Sequence, residues 1–118
     1  MDDDLPNIPW ICMEYGETVH EANGRWSHFD RAELSNGSGY SFMFRGQDNG
    51  SVIIEVPRKP DYGNQSTDPH KTHLLHEGDR NIVCCEPLPR TLADAKKVAA
   101  EWAKRTDRYV RSGVPIET

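Results

Sequence analysis

The sequence predicts an α+β domain, an antiparallel β-meander of about four to six strands with one long C-terminal helix packed on one face. Three observations carry that expectation. Residues 40–56 alternate with the period of a strand around a glycine-bounded turn. Residues 57–69 lose all periodicity. From residue 91 onward the apolar residues recur at helical spacing. A length of 118 residues suits a single domain, 1–118, with one modest core that needs no disulfide or metal staple.

Residues 1–8 begin with the acidic run Asp2–Asp4 and are expected to be poorly ordered. "WICMEY" (10–15) and "GRWSHFDRAEL" (24–34) read as strands, the second joined to the next through "SNGSG". The hairpin that follows has the strongest pattern. Tyr40, Phe42 and Phe44 alternate with Ser41, Met43 and Arg45, a turn runs from Gly46 to Gly50, and Val52, Ile54 and Val56 alternate with Ile53 and Glu55. Because Tyr40, Phe42 and Phe44 share one strand face, they are expected on the core side. Three prolines, a glycine and small polar residues make "PRKPDYGNQSTDP" (57–69) a long surface loop.

Residues 70–85, "HKTHLLHEGDRNIVCC", admit two readings. "THLLH" and "NIVCCEP" can flank "EGDR" as a second hairpin. Alternatively Asp68 caps a two-turn helix with Pro69 at its first position and Gly78 as its stop, which would set His73 and His76 on one face. The chain then ends in a helix over 91–111. Thr91 is its N-cap, Asp94 favours the dipole at the third helical position, and Gly113 is the stop. Leu92, Ala95, Val98, Ala99, Trp102, Ala103, Thr106 and Tyr109 form its apolar stripe, with Lys96, Lys97, Glu101, Lys104, Arg105 and Arg108 on the other side. The alanines permit close approach to a sheet, and Trp102 fills the remaining space.

Charge divides the chain. Residues 1–89 carry 7 Lys+Arg against 15 Asp+Glu, and residues 90–118 carry 7 against 4. A basic helix lying on an acidic sheet neutralises that asymmetry internally. No apolar run approaches the ~20 residues of a spanning helix, and the start lacks the pattern of a secretory signal, so a cytoplasmic protein without membrane contact is expected. Cys12, Cys84 and Cys85 have no framework spacing and suit reduced thiols.

The histidine- and cysteine-rich stretch raises the question of a metal. A structural zinc site needs four converging nitrogen or sulfur ligands, typically as two close pairs. His73, His76 and Cys84 are the candidates, and the second pair is missing. If residues 81–85 are a strand, Cys84 and Cys85 point to opposite faces. No metal or other cofactor is therefore expected, and one of the two cysteines is expected to fill the sheet face under the helix as a small apolar residue. A cysteine nucleophile with a histidine base can be drawn from these residues, but no spacing singles out a pair. The short glycine clusters sit between strands and read as turns, not phosphate cradles.

Binding is the remaining class. Lys97, Lys104, Arg105, Arg108 and Arg111 are candidate partner-binding residues on the exposed side of the helix. Another protein is the expected partner. Nucleic acid is the alternative, through those cations and through aromatic residues on strands, although a pI near 5.5 argues against general phosphate attraction. A small metal- or thiol-dependent enzyme comes third. An open edge strand would also allow pairing with a second copy.

The order of a sheet followed by "TLADAKKVAAEWA" resembles the small uncharacterised bacterial, plasmid and phage proteins in which an antiparallel meander ends in an Ala-rich helix. That resemblance covers the last third of the chain. It implies an accessory or inhibitor protein that acts by contact, in line with a non-enzymatic protein-protein interaction module.

Overall fold

A computed structural model describes residues 11–13, 18–21, 23–34, 38–114 and 116. The expectation for residues 1–8 lies outside the described residues. The elements are β1 (Ile11–Met13), β2 (Thr18–His20), β3 (Trp26–Glu33), β4 (Gly39–Gly46), β5 (Val52–Glu55), α1 (Pro69–Thr72), β6 (Leu74–Glu77), β7 (Arg80–Val83) and α2 (Leu92–Ser112). All strand pairs are antiparallel, in the order β1-β3-β4-β5-β7-β6, and β2 also pairs with β3. The outermost position beside β3 is thus shared. β1 lies against Arg31–Glu33 and β2 against Trp26–His28.

The aromatic alternation sets the β4 register. Tyr40, Phe42 and Phe44 are buried, and Phe44 stands opposite Ile54 of β5. The β4–β5 turn closes on itself: Asn49 Oδ1 accepts from the Ser51 amide at 2.9 Å, and Gly50 takes a φ of +89° that a side chain would strain. Gly46 has a different reason. It lies opposite Trp26, and a Cβ there would overlap the indole ring.

Both readings of residues 68–77 are used, one after the other. Asp68 caps α1 by accepting from the His70 amide at 3.0 Å, with Pro69 in the first turn. The helix lasts a single turn. His73 adopts the left-handed region at φ +53°, and the chain continues as β6 into the Gly78–Asp79 hairpin turn.

α2 begins and ends on the residues that its sequence marks. Thr91 Oγ1 accepts from the Asp94 amide at 3.1 Å, and Gly113, at φ +79°, donates its N–H to the Tyr109 carbonyl. Ala95, Ala99, Ala103 and Trp102 are buried, and the helix lies over β4 and β5. The Trp102 ring meets Tyr40 and Phe42 edge-on, at centroid distances of 6.1 and 6.0 Å. Its Nε1 donates to the Thr72 carbonyl at 3.0 Å. One side chain therefore joins helix, sheet and α1.

The loop over 57–69 is anchored where its aromatic residue falls. Tyr62 is buried and packs on Tyr109 of α2 with ring centroids 6.1 Å apart, and the Tyr109 hydroxyl donates to the Ser66 carbonyl at 2.6 Å. Burial pushes the Tyr62 hydroxyl up to about 12. The same packing corrects one expectation. Helical periodicity puts Arg108 on the exposed side, whereas the structure leaves it 8% exposed. Thr106, Asp107, Arg108 and Tyr109 are all buried, because this end of α2 meets the sheet side, the loop at Tyr109 and Ser38 at Asp107.

Trp102→Ala is expected to destabilise the domain by about 3–5 kcal/mol in chemical denaturation, since it removes a buried aromatic and the donor to Thr72. A loss below half of that would mean that α2 does not seat on this ring.

Candidate functional site

The buried face of the sheet carries an unexpected polar line. His28 and Asp30 of β3 stand opposite Phe44 and Phe42, on the face under α2. Asp30 is 0% exposed. The exposed Thr18 has its Oγ1 2.8 Å from His28 Nδ1, His28 Nε2 is 3.1 Å from Asp30 Oδ2, and Lys96 Nζ reaches the same carboxylate oxygen at 2.9 Å. A carboxylate without water needs such partners, and breaking a buried pair costs more than the pair gains. Lys96 can serve because α2 lies over β4 and β5, so that β3 falls beside the helix within reach of a long side chain.

The opposite face is the one no helix covers. Pairing registers place Phe29, Met43, Glu55, Ile82 and Leu75 in one row across five strands. Beside it Ser27, Arg45 and Ile53 form a second row. Glu55 holds two cations, with Arg45 Nε at 3.2 Å and Arg80 Nε at 2.9 Å. Two cavities open on this face at opposite corners. A groove of about 880 Å³ is walled by Ile53, Leu75, Ile82 and Leu88, and its charged lining residues are Glu77, Arg80, Glu86 and Arg90. A cavity of about 570 Å³ is lined by Phe29, Arg31, Ser41, Arg58, Lys59 and Asp61. Both volumes lie in the usual range for small-molecule sites, about 300–1,000 Å³.

The expected site residues separate. Lys97 is exposed and Lys104 half-buried. Arg105 pairs with Glu101 at 3.2 Å, Arg111 with Asp107 at 2.7 Å, and Arg108 is buried. The five do not form one open basic surface. Internal pairing and packing take up three of them.

Of the His and Cys candidates, His73 and Cys84 come together. The Cys84 amide donates to the His73 carbonyl at 2.8 Å, and both line a cavity of about 350 Å³ with Glu101 and Arg105. His76 lies apart, on β6 opposite Asn81. Among the described residues no three His, Cys, Asp or Glu side chains converge as metal ligands would. Cys85 packs against the core, and burial, with Cys84 beside it, pushes its thiol up. Cys84 is exposed.

Arg31, Arg58 and Lys59 were absent from the sequence candidates. Arg31 precedes the adjacent Arg58 and Lys59 by 27 and 28 positions, and the pairing of β3 with β4 and of β4 with β5 brings the three to one cavity. "PRKP" alone could have marked the pair Arg58–Lys59, because two prolines fix the backbone on either side.

Comparison with protein-family models, curated proteins and solved structures finds no match for this chain. Its chemistry has to be read from its own surface. No helix among the described residues is long and apolar enough to cross a membrane.

With iodoacetamide under native conditions, Cys84 is expected to be alkylated about tenfold or more faster than Cys85, because the exposed residue has the accessible thiolate. Equal rates in peptide mass spectrometry would show that the 84–88 segment does not hold Cys85 against the core.

Proposed function

We propose that this chain is a non-enzymatic protein-protein interaction module that receives an extended segment of another protein along β6. A single observation supports the reading. Of the exposed large apolar side chains, Leu75 (39%) and Leu88 (36%) line the same groove, and that groove borders a strand at the end of the sheet. An edge strand offers unpaired N–H and C=O groups to an incoming strand, and the groove offers it an apolar pocket. Ile53 and Ile82 form the pocket wall. Arg80 and Arg90 are balanced on the same lining by Glu77 and Glu86, and Arg80 is already paired with Glu55, so the groove selects through its apolar anchors and not through net charge.

The contact surface is thereby moved from the helix to the uncovered sheet face. An accessory or inhibitory role fits such a surface, since it would act by occupying a partner's segment. Single-strand nucleic acid binding by stacking is disfavoured, because Tyr40, Phe42 and Phe44 are buried under α2.

The test is selection from a library of ten-residue peptides, followed by mapping of backbone amide shifts. Selected peptides are expected to perturb Leu74–Glu77 and to lose about tenfold or more in affinity to a Leu75→Asp/Leu88→Asp variant, the scale of ~1–2 kcal/mol for each anchor residue. Because both residues are partly exposed, the variant should retain its fold. Shifts confined to Lys97 and Lys104, or undiminished binding by the variant, would reject the groove. Concentration-dependent dimerisation through β6 would assign the edge to a second copy instead.

A further inference from the structure

We infer that the cavity between Arg31 and the Pro57–Pro60 segment is a binding site for a phosphate monoester. Its cations are available. Arg25, Arg45, Arg80, Lys96, Arg105 and Arg111 all stand in ion pairs. Arg31, Arg58 and Lys59 have none among the described residues, as Lys71, Arg90, Lys97 and Lys104 have none, but these three line one cavity. Three exposed positive charges facing one cavity repel one another, and in a chain of net charge −5 that arrangement is not a by-product of a basic composition.

The site is also positioned before any ligand arrives. Arg58 and Lys59 lie between two prolines, which restrict the backbone that carries them. Arg31 crosses the sheet surface over Gly39, where a Cβ would stand 3.4 Å from its Nη2. A glycine on β4 thus leaves the guanidinium room to lie flat. The Ser41 residue beside it, opposite Arg31 in the register, places a hydroxyl donor on the same wall.

Charge decides the ligand class. Asp61 is the one acid on the lining, and its Oδ1 accepts from the Gly63 amide at 2.9 Å within its own loop. Three cations and one acid leave a surplus of two positive charges. A carboxylate or a phosphodiester carries a single negative charge, while a phosphate monoester carries about −1.5 to −2 near pH 7 and has three acceptor oxygens. Arginine forks bind such oxygens in pairs, with lysine as a point charge. A cavity of about 570 Å³ leaves space for the group that bears the phosphate, beside the Phe29 wall.

The test does not depend on the partner proposed for β6. The full chain is titrated at low ionic strength with inorganic phosphate and with phenyl phosphate, and amide shifts are followed at pH 7.5. Saturable shifts at Gly39, Ser41 and 58–61, with a Kd of about 1 mM or tighter for phenyl phosphate, are expected. Arg58→Gln with Lys59→Gln should weaken binding about tenfold or more. Gly39→Val, which keeps every charge but displaces Arg31, should weaken it as well; should that variant not fold, the glutamine variants carry the test alone. Lowering the pH to 5.5 should reduce affinity several-fold, because the second phosphate proton binds near pH 6. Benzoate binding equally well would overturn the assignment, as would shifts that the variants leave unchanged. Tighter binding of oligothymidylate with a steep salt dependence would make the cavity part of a nucleic acid surface and would also overturn it.

Discussion

One helix can shield only one face of a sheet. α2 is 21 residues long, about 32 Å at helical rise, but only about 10–12 Å across with its side chains. A sheet whose strands lie about 4.8 Å apart is far wider than that. The helix therefore settles over β4 and β5, where Tyr40, Phe42, Phe44 and Ile54 offer a continuous apolar surface to Ala95, Ala99, Trp102 and Ala103. Everything else in the molecule follows from what that contact covers and what it leaves open. The 57–69 loop closes the C-terminal end through Tyr62, and α1 abuts Trp102 through the Thr72 carbonyl.

At the margin of the covered zone the chain places charge where an apolar residue would be expected. Asp30 is buried beside the helix and not beneath its apolar stripe, so it can be reached both by His28 on its own strand and by Lys96 from above. An aliphatic residue of similar size could fill the same space without desolvating a carboxylate. What the polar line adds is direction. It ties the first turns of α2 to β3, whereas the alanine stripe alone would tolerate sliding along the sheet. That tie keeps β3 and β4 in place on the other face as well, where Arg31 and Ser41 lie side by side.

The parts that were legible in the sequence were those written in local chemistry. Thr91 and Gly113 state the ends of α2 in their own backbone preferences, and the Tyr40–Phe42–Phe44 alternation states which side of β4 is inside. The short stretch after Asp68 was ambiguous because it contains a helix start and a strand in succession, with His73 in the left-handed region as the break between them. β3 was illegible in a different way. In "WSHFDRAE" the apolar Phe29 alternates with His28 and Asp30, yet the full β3–β4 register sends Phe29 to the uncovered face and the two polar residues inward. A strand's face is set by its neighbour, and that neighbour's stronger pattern prevails. Arg108 shows the same limit for the helix, whose last turns are enclosed from more than one side. The candidate surfaces are long-range products, since residues near 31, 41 and 58 meet only after the sheet has formed.

The most direct test of one-sided burial is hydroxyl-radical footprinting of the native chain, reading Met43 against Trp102. Both side chains react readily when wet, so that access decides the outcome. Met43 lies half-buried on the uncovered face and Trp102 is 4% exposed under the helix. One-sided burial requires Met43 to be oxidised at a sizeable fraction of its rate in the unfolded chain, with Trp102 protected several-fold more strongly. Protection of Met43 to the same degree as Trp102 would show that the face assigned to binding is already covered, and would contradict the account at its centre.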